Sequence, residues 1–299
     1  MDFVEAYEKV KPCIVAIVPK FSTSRRDFPE IIGTGFLISK EGVVCTCKHV
    51  ADEIQNMPKP PGYSGYPALV LLFRELSVGD KKGWGLLAID IQGIGDATVI
   101  GNTSGYLGPN PPDISFLLLP VRDTPYLTFS DLPLSEGEIL AFAGFPMGTR
   151  LLKAPGWMHQ FSPSLHWGIA SAILPHRLEK IPHAFLIHSN TQGGASGSPV
   201  FRPDGTVVGM VYMGVDEEYA FGGNPGDRGV TIYSVPTSLT GCVPREVIEA
   251  VFRFAESQAA TYTARPTFQE YLDSRQTIPL EYGKPVLDSW DDSQQSSSK

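Results

Sequence analysis

From residue 192 the chain reads Gln192-Gly193-Gly194-Ala195-Ser196-Gly197-Ser198-Pro199-Val200, and from residue 206 it continues Thr206-Val-Val-Gly-Met-Val-Tyr-Met213. The first stretch is a turn. Small residues let the backbone bend tightly, and Gly194 admits conformations and close approaches that a Cβ forbids. The second is a short apolar run entered from a turn, which reads as a buried strand. The same alternation fills the chain: apolar runs at 13–18, 34–38, 43–46, 68–73, 114–119, 139–142, 185–187, 206–213 and 230–235 are bounded by Gly, Pro, Asp or Ser. Many short strands joined by turns predict an all-β sandwich or barrel.

Two stretches are helical instead. Residues 4–10 read as a short opening turn. Pro244 suits a first helical position, and Val247, Ile248, Val251, Phe252, Phe254 and Ala255 make an apolar stripe, which predicts a helix over about 244–258. Residues 57–66 and 101–112 read as loops rich in Pro and Gly. Beyond 261 the periodicity fades, and the chain ends Asp292-Ser-Gln-Gln-Ser-Ser-Ser-Lys299, a solvated tail.

Composition narrows the functions. Among 299 residues, 42% are hydrophobic and 19% charged, so a large core is expected and global disorder is not. The net charge of -8 and the lack of any Lys/Arg cluster beyond Arg25–Arg26 or Lys81–Lys82 argue against a nucleic-acid partner. No apolar run is long enough to cross a bilayer, and the first residues lack the basic and apolar regions of a signal peptide. A cytoplasmic protein without a membrane partner is expected. The four cysteines, Cys13, Cys45, Cys47 and Cys242, show no CxxC pair and no zinc spacing, which predicts free buried thiols in a reducing compartment.

Three stretches carry residues suited to acyl transfer. That chemistry needs an exposed hydroxyl on a tight turn, a base to take its proton, and donors facing the oxyanion. Ser196 on its Gly turn offers the hydroxyl, and the N–H groups of Gly194 and Ser196 are the natural donor pair. Cys45-Thr-Cys-Lys-His49-Val offers a base, expected at a strand end. Pro112-Asp113-Ile-Ser-Phe-Leu offers a carboxylate leading into a strand. Each has a plainer reading: a surface turn, a loop histidine, a turn Asp. The order His, Asp, Ser makes them informative together.

In that order the chain resembles the trypsin-like (chymotrypsin-fold) peptidases, especially their HtrA/Deg-like and glutamyl-endopeptidase-like members. Gly33-Thr-Gly-Phe-Leu-Ile38 resembles the strand ahead of the histidine and Thr46-Cys-Lys-His49 the T-x-x-H element. Asp113-Ile-Ser-Phe-Leu resembles D-I-A-L-L, and Gly144-Phe-Pro-Met-Gly148 the G-x-P-x-G turn. Gly168-Ile-Ala-Ser-Ala resembles the strand that follows. Gly194-Ala-Ser196-Gly-Ser-Pro-Val resembles G-x-S-G-G-P, and Val208-Gly-Met-Val-Tyr-Met-Gly214 the strand that binds substrate backbone. The resemblance implies two six-stranded barrels, about 10–122 and 123–243, a C-terminal helix packed on the second barrel, and an extension over 259–299 with no PDZ module. It implies a serine endopeptidase acting on protein or peptide without metal or cofactor. His49, Asp113 and Ser196 would be catalytic, and Gly194 and Ser196 would form the oxyanion hole. Asn190, Tyr212, Met213, Gly214 and Gly229, with the strand 229–231, would build the specificity pocket.

There are departures. Ser198 stands where the family usually has a second Gly. Ala195 replaces the acid that receives a new N-terminus in digestive members, so activation by N-terminal cleavage is not expected. Lys48 precedes the base. Aimed at the imidazole it would depress its pKa, and an outward place on a strand edge is expected instead. Asn190 supplies no counter-charge for Lys or Arg, which predicts a neutral side chain before the cut. The 64 residues from His49 to Asp113 exceed the spacing of compact relatives. The other histidines, His159, His166, His176, His183 and His188, form no ligand pattern. Trp157 and Trp167 are expected to pack. A catalytically silent peptide- or partner-binding relative stays open, as does a β-protein whose motifs match by chance.

Overall fold

The computed structural model describes residues 2–21, 31–78, 81–97, 108–146, 162–191, 193–222 and 230–274. Of the positions singled out above, Met147, Gly148, Trp157, His159, Gln192, Gly229, residues 101–107 of the loop and the tail from 275 onward lie outside them.

The chain opens with α1 (Phe3–Val10), where Asp2 caps the N–H groups of Val4 and Glu5 at 3.0 Å. The first half then runs β1 (Ile14–Pro19), β2 (Gly33–Ser39), β3 (Val43–Thr46), α2 (Lys48–Asn56), β4 (Ala68–Val78), β5 (Lys81–Asp90), β6 (Gly93–Asp96) and β7 (Ser115–Leu118). The second half holds β8 (Ile139–Gly144), β9 (Ser164–Leu174), β10 (Ala184–His188), β11 (Pro199–Phe201), β12 (Val207–Gly222) and β13 (Val230–Pro244), followed by α3 (Arg245–Ala260) and α4 (Phe268–Ser274).

The second half closes into a six-stranded barrel in the order β10-β13-β12-β11-β8-β9. The first is a half-barrel sheet of seven strands, β5-β4-β1-β2-β3-β7-β6. This is the double-barrel architecture, with one strand more than expected in the first half. The long stretch between His49 and Asp113 supplies it, because it carries β4, β5 and β6. β5 escaped the sequence reading because Lys81-Lys-Gly-Trp-Gly breaks its apolar run.

The strands form where β-branched and aromatic residues alternate with turns. β1 and β2 are buried almost along their whole length, since each has a strand on both sides and layers above and below. One buried cluster joins the halves, with Ile14, Phe36 and Leu37 from the first and Phe145, Phe201, Met210 and Val247 from the second. A second fills the closed barrel with Leu140, Phe142, Phe185, Val200 and Val211. All four cysteines are buried.

Four expectations change. α2 was not foreseen. It follows β3 directly, buries Val50, Ala51 and Ile54, and carries an i,i+4 pair between Lys48 and Asp52. Pro244 caps α3 from outside rather than opening it, and α3 bridges the halves, packing on β3, β12 and β13. Its Phe252 ring lies 5.9 Å from that of Phe116 in the first sheet, whereas Phe254, expected in the same stripe, falls off that face of the helix and is 74% exposed. Trp167 does not pack. It is 69% exposed, because the alternation of β9 turns Trp167, Ile169 and Ser171 outward while Gly168 and Ala170 face in.

Candidate active site

His49 is the second residue of α2, not the end of a strand. Cys47 is the cap residue of that helix, and its extended backbone turns the chain from β3 into α2. Asp113 lies two residues before β7, which pairs with β3 through Thr46 opposite Ser115. That register brings a carboxylate from residue 113 against a ring from residue 49. Asp113 Oδ2 accepts from His49 Nδ1 at 2.7 Å, and Oδ1 accepts the His49 backbone N–H at 2.9 Å. One carboxylate thus holds both the ring and the main chain of the same histidine.

The pair shifts both groups. The hydrogen bond from Asp113 raises the His49 pKa above the ordinary imidazole value, against the opposing effect of burial. Burial pushes the Asp113 carboxyl up. The His49 ring, its charge and the backbone N–H groups of His49 and Lys48 outweigh this and hold it below the usual carboxylate range.

Lys48 opens α2 rather than sitting on a strand edge. Its ammonium is taken by Asp52 at 2.6 Å and Asp96 at 3.2 Å. Those acids hold its charge away from the base, and the His49 pKa moves up rather than down.

The turn at 193–198 comes from the second half and locks onto the first through Thr34, which is fully buried. The Thr34 N–H donates to the Ser196 carbonyl at 2.9 Å, and its hydroxyl donates to the Gly194 carbonyl at 2.7 Å. The Phe145 N–H in turn donates to the Thr34 hydroxyl at 3.0 Å. Gly194 and Gly197 have φ of 95° and 90°, a region that side chains rarely tolerate. Among the described residues, the N–H groups of Gly194 and Ser196 find no internal acceptor. The Ser196 hydroxyl donates to the Tyr212 carbonyl at 3.4 Å, a long bond. Ser198 is fully buried, and among the described residues its hydroxyl has no hydrogen-bond partner.

The family model of the trypsin-like peptidase domain matches residues 33–210, from the first residue of β2 into β12. The chain belongs to that family. Among solved structures, the Rv3671c protease from M. tuberculosis in its active form is similar at 16% identity, over 83% of this chain and 82% of that one, with a TM-score of 0.47. An HtrA-type protease with a decapeptide is similar at 13% identity, over 85% and 67%, with a TM-score of 0.48. The serine endoprotease from Yersinia pestis follows at 14% identity, over 85% and 66%, with a TM-score of 0.45. No curated protein matches the sequence.

In this trypsin-like peptidase domain the residues expected to build the specificity pocket fall into two groups. Asn190 is exposed just after β10, while Tyr212 is half-buried and Met213 and Gly214 are exposed on β12. Thr191 connects them, since a Cβ at Gly214 would sit 3.5 Å from its methyl group. The neighbours of Met213 and Gly214 on β13 are Gly241 and Thr240. The strand expected there does not reach it: Val230 and Thr231 pair with Gly222 and Phe221 at the far end of the hairpin. Gly229 itself lies outside the described residues. The cause is length. The β12–β13 hairpin runs well past Gly214, which displaces the alignment of its second strand. Thr34, Thr191, Thr240 and Gly241 were not foreseen. Thr34 lies inside the quoted Gly33-Thr-Gly element, but nothing in that pattern says that its hydroxyl spans the two halves.

Proposed function

We propose that this peptidase is a serine endopeptidase that uses His49, Asp113 and Ser196. The observation that carries the reading is the double grip of Asp113 on His49, beside a serine on a Gly turn that is itself bonded to the strand before the histidine. With Nδ1–H given to Asp113, the lone pair of the neutral ring is on Nε2. Ser196 Oγ, held to Tyr212 by a long bond only, would turn from that carbonyl and hand its proton to Nε2 as it attacks the scissile carbonyl. The charge that develops on the carbonyl oxygen is met by the N–H groups of Gly194 and Ser196. The imidazolium, favoured by Asp113, then protonates the departing amine. Water repeats the sequence on the acyl-enzyme and returns the hydroxyl to Ser196.

Substrate backbone would lie along Tyr212–Gly214, with the side chain before the cut directed between that strand and Asn190–Thr191. Neither wall carries an acid, which supports a neutral side chain there. The engagement of Ser196 with Tyr212 favours the other reading, a protein that holds peptides without cutting them. A fluorophosphonate probe on the full chain separates the two. The proposal expects covalent labelling that is lost in Ser196→Ala, together with cleavage of a peptide library after neutral residues. An intact, folded chain that neither labels nor cleaves is a binding protein, and dominant cleavage after Lys or Arg rejects the neutral pocket.

A further inference from the structure

Beneath the histidine lies a side chain that the proposed reaction does not use. Cys47, His49 and Asp113 offer a sulfur, a ring nitrogen and a carboxylate oxygen within 4.8 Å of one another. The sequence shows no metal pattern because the third ligand comes from the far side of the β4–β6 insertion. We propose that these three side chains form a site for a borderline divalent cation, zinc above all, that reversibly shuts the active site.

The donor set selects the metal. A thiolate with an imidazole and a carboxylate suits zinc or cadmium, whereas magnesium and calcium take oxygen ligands. Three protein ligands leave the fourth tetrahedral position for water. Zinc bonds of about 2.0–2.3 Å place tetrahedral ligand atoms roughly 3.3–3.6 Å apart. The sulfur therefore draws toward the other two by about 1.5 Å at most, while the ring and carboxylate, now 2.7 Å apart, open to admit the ion.

Access comes from the solvent side of the pair. The His49 side chain is 50% exposed and that of Asp113 27%, while Cys47 lies buried as the floor below them. The thiol is weakly held, donating to the Val211 carbonyl at 3.3 Å. It can turn from that acceptor to a cation above it. Cys47 thus differs from Cys13, Cys45 and Cys242, which join no such group among the described residues.

The protons balance simply. The Cys47 thiol releases its proton to solvent and binds as thiolate. A neutral His49 ring keeps its proton but moves it from Nδ1 to Nε2, so that Nδ1 can bind the ion. Asp113 exchanges a hydrogen bond for a metal bond. The ring then has no lone pair on Nε2 and cannot take the proton of Ser196. Inhibition is reversible, because no bond to carbon is made and a chelator restores the starting state.

The loss of activity rests on the function proposed above, but occupancy of the site does not, so the two are read separately. Full-length Ser196→Ala protein is titrated with cadmium, and the ultraviolet charge-transfer absorbance of cadmium–thiolate is followed. The proposal expects one saturable site, displaced by zinc. It expects the band to vanish when Cys47→Ala is added, and cadmium affinity to fall about ten-fold or more when His49→Ala is added. Cys47→Ser serves in place of Cys47→Ala should that variant not fold. No band, or a band that survives the loss of Cys47, overturns the site. In the catalytic arm, zinc inhibits the wild-type chain and EDTA reverses it. Measured against its own zinc-free rate, Cys47→Ala needs about ten-fold or more zinc for the same fractional inhibition. Equal sensitivity in Cys47→Ala overturns the regulatory role, and a chain that is inert without zinc but shows the cadmium band counts against the proposed function alone.

Discussion

Asp113 couples the protonation of His49 to the position of its backbone. The stability this contributes has a definite pH window. The His49 pKa is raised in the folded chain, so its part is complete below the ordinary imidazole value of about 6.5 and fades as pH climbs through the folded value. The Asp113 pKa is depressed, so its part is present above the ordinary value of about 3.9 and is lost as pH falls through the folded one. In the proposed reaction activity runs the other way, because His49 must be neutral to act as the base. The acid limb of kcat/KM is therefore expected to have its midpoint above about 6.5. Asp113→Asn removes the charge that raises it and leaves the ring without its orienting acceptor. Its midpoint should fall toward the ordinary value, with kcat lower by about four orders of magnitude. A pH–rate profile of both proteins measures this, and a midpoint that does not move with the substitution rules out the coupling.

At the scale of elements, the decisive piece is the turn at 193–198 and its seat on β2. A Cβ on Gly197 would come within 1.8 Å of the Thr34 carbonyl and 2.7 Å of the Thr46 hydroxyl, and φ there is 90°. Gly197→Ala is expected to cost about 2–4 kcal/mol in a urea melt and to abolish turnover, because the backbone must leave Thr34. A stable, active variant would show that the turn and β2 are not locked together. This seat also marks how far the sequence could be read. The turn, His49 and Asp113 were legible because each needs a particular residue type next to a short apolar run. β3 was legible to the residue, since Gly42 and Cys47 bound a continuous buried run. α2 was not, because its nine residues begin without a side-chain cap and its apolar positions are only Val50, Ala51 and Ile54. The second wall of the pocket was not either. A hairpin keeps its alternation wherever it ends, so nothing local distinguishes Val230 beside Gly222 from Val230 beside Gly214.

For the whole molecule, the question is what keeps the two β halves in register. α3 leaves the second barrel at Pro244 and packs against both halves. The chain after it returns to the first sheet, where the Arg122 N–H donates to the Pro266 carbonyl at 3.0 Å and the Phe268 N–H to the Arg122 carbonyl at 2.7 Å. Arg265 is the anchor. It is 6% exposed, and its guanidinium donates to the carbonyls of Glu41, Leu119, Val121, Tyr262 and Ala259 and to the Glu41 carboxylate. Glu41 and Val121 border the turn that feeds β3, and β3 leads to His49, so this clamp sets the base of the site from behind. Arg265→Ala leaves several buried carbonyls without a donor and is expected to lower stability by about 3 kcal/mol. Arg265→Lys should recover only a minor part, since one ammonium cannot reach what a planar fork spans. Urea melts of the two variants test the clamp, and amide hydrogen exchange tests its reach. The expected result is faster exchange in β3 and α2, with the closed barrel unchanged. Faster exchange in β8 to β11 instead would mean that the strap stabilises the second half and has no hold on His49.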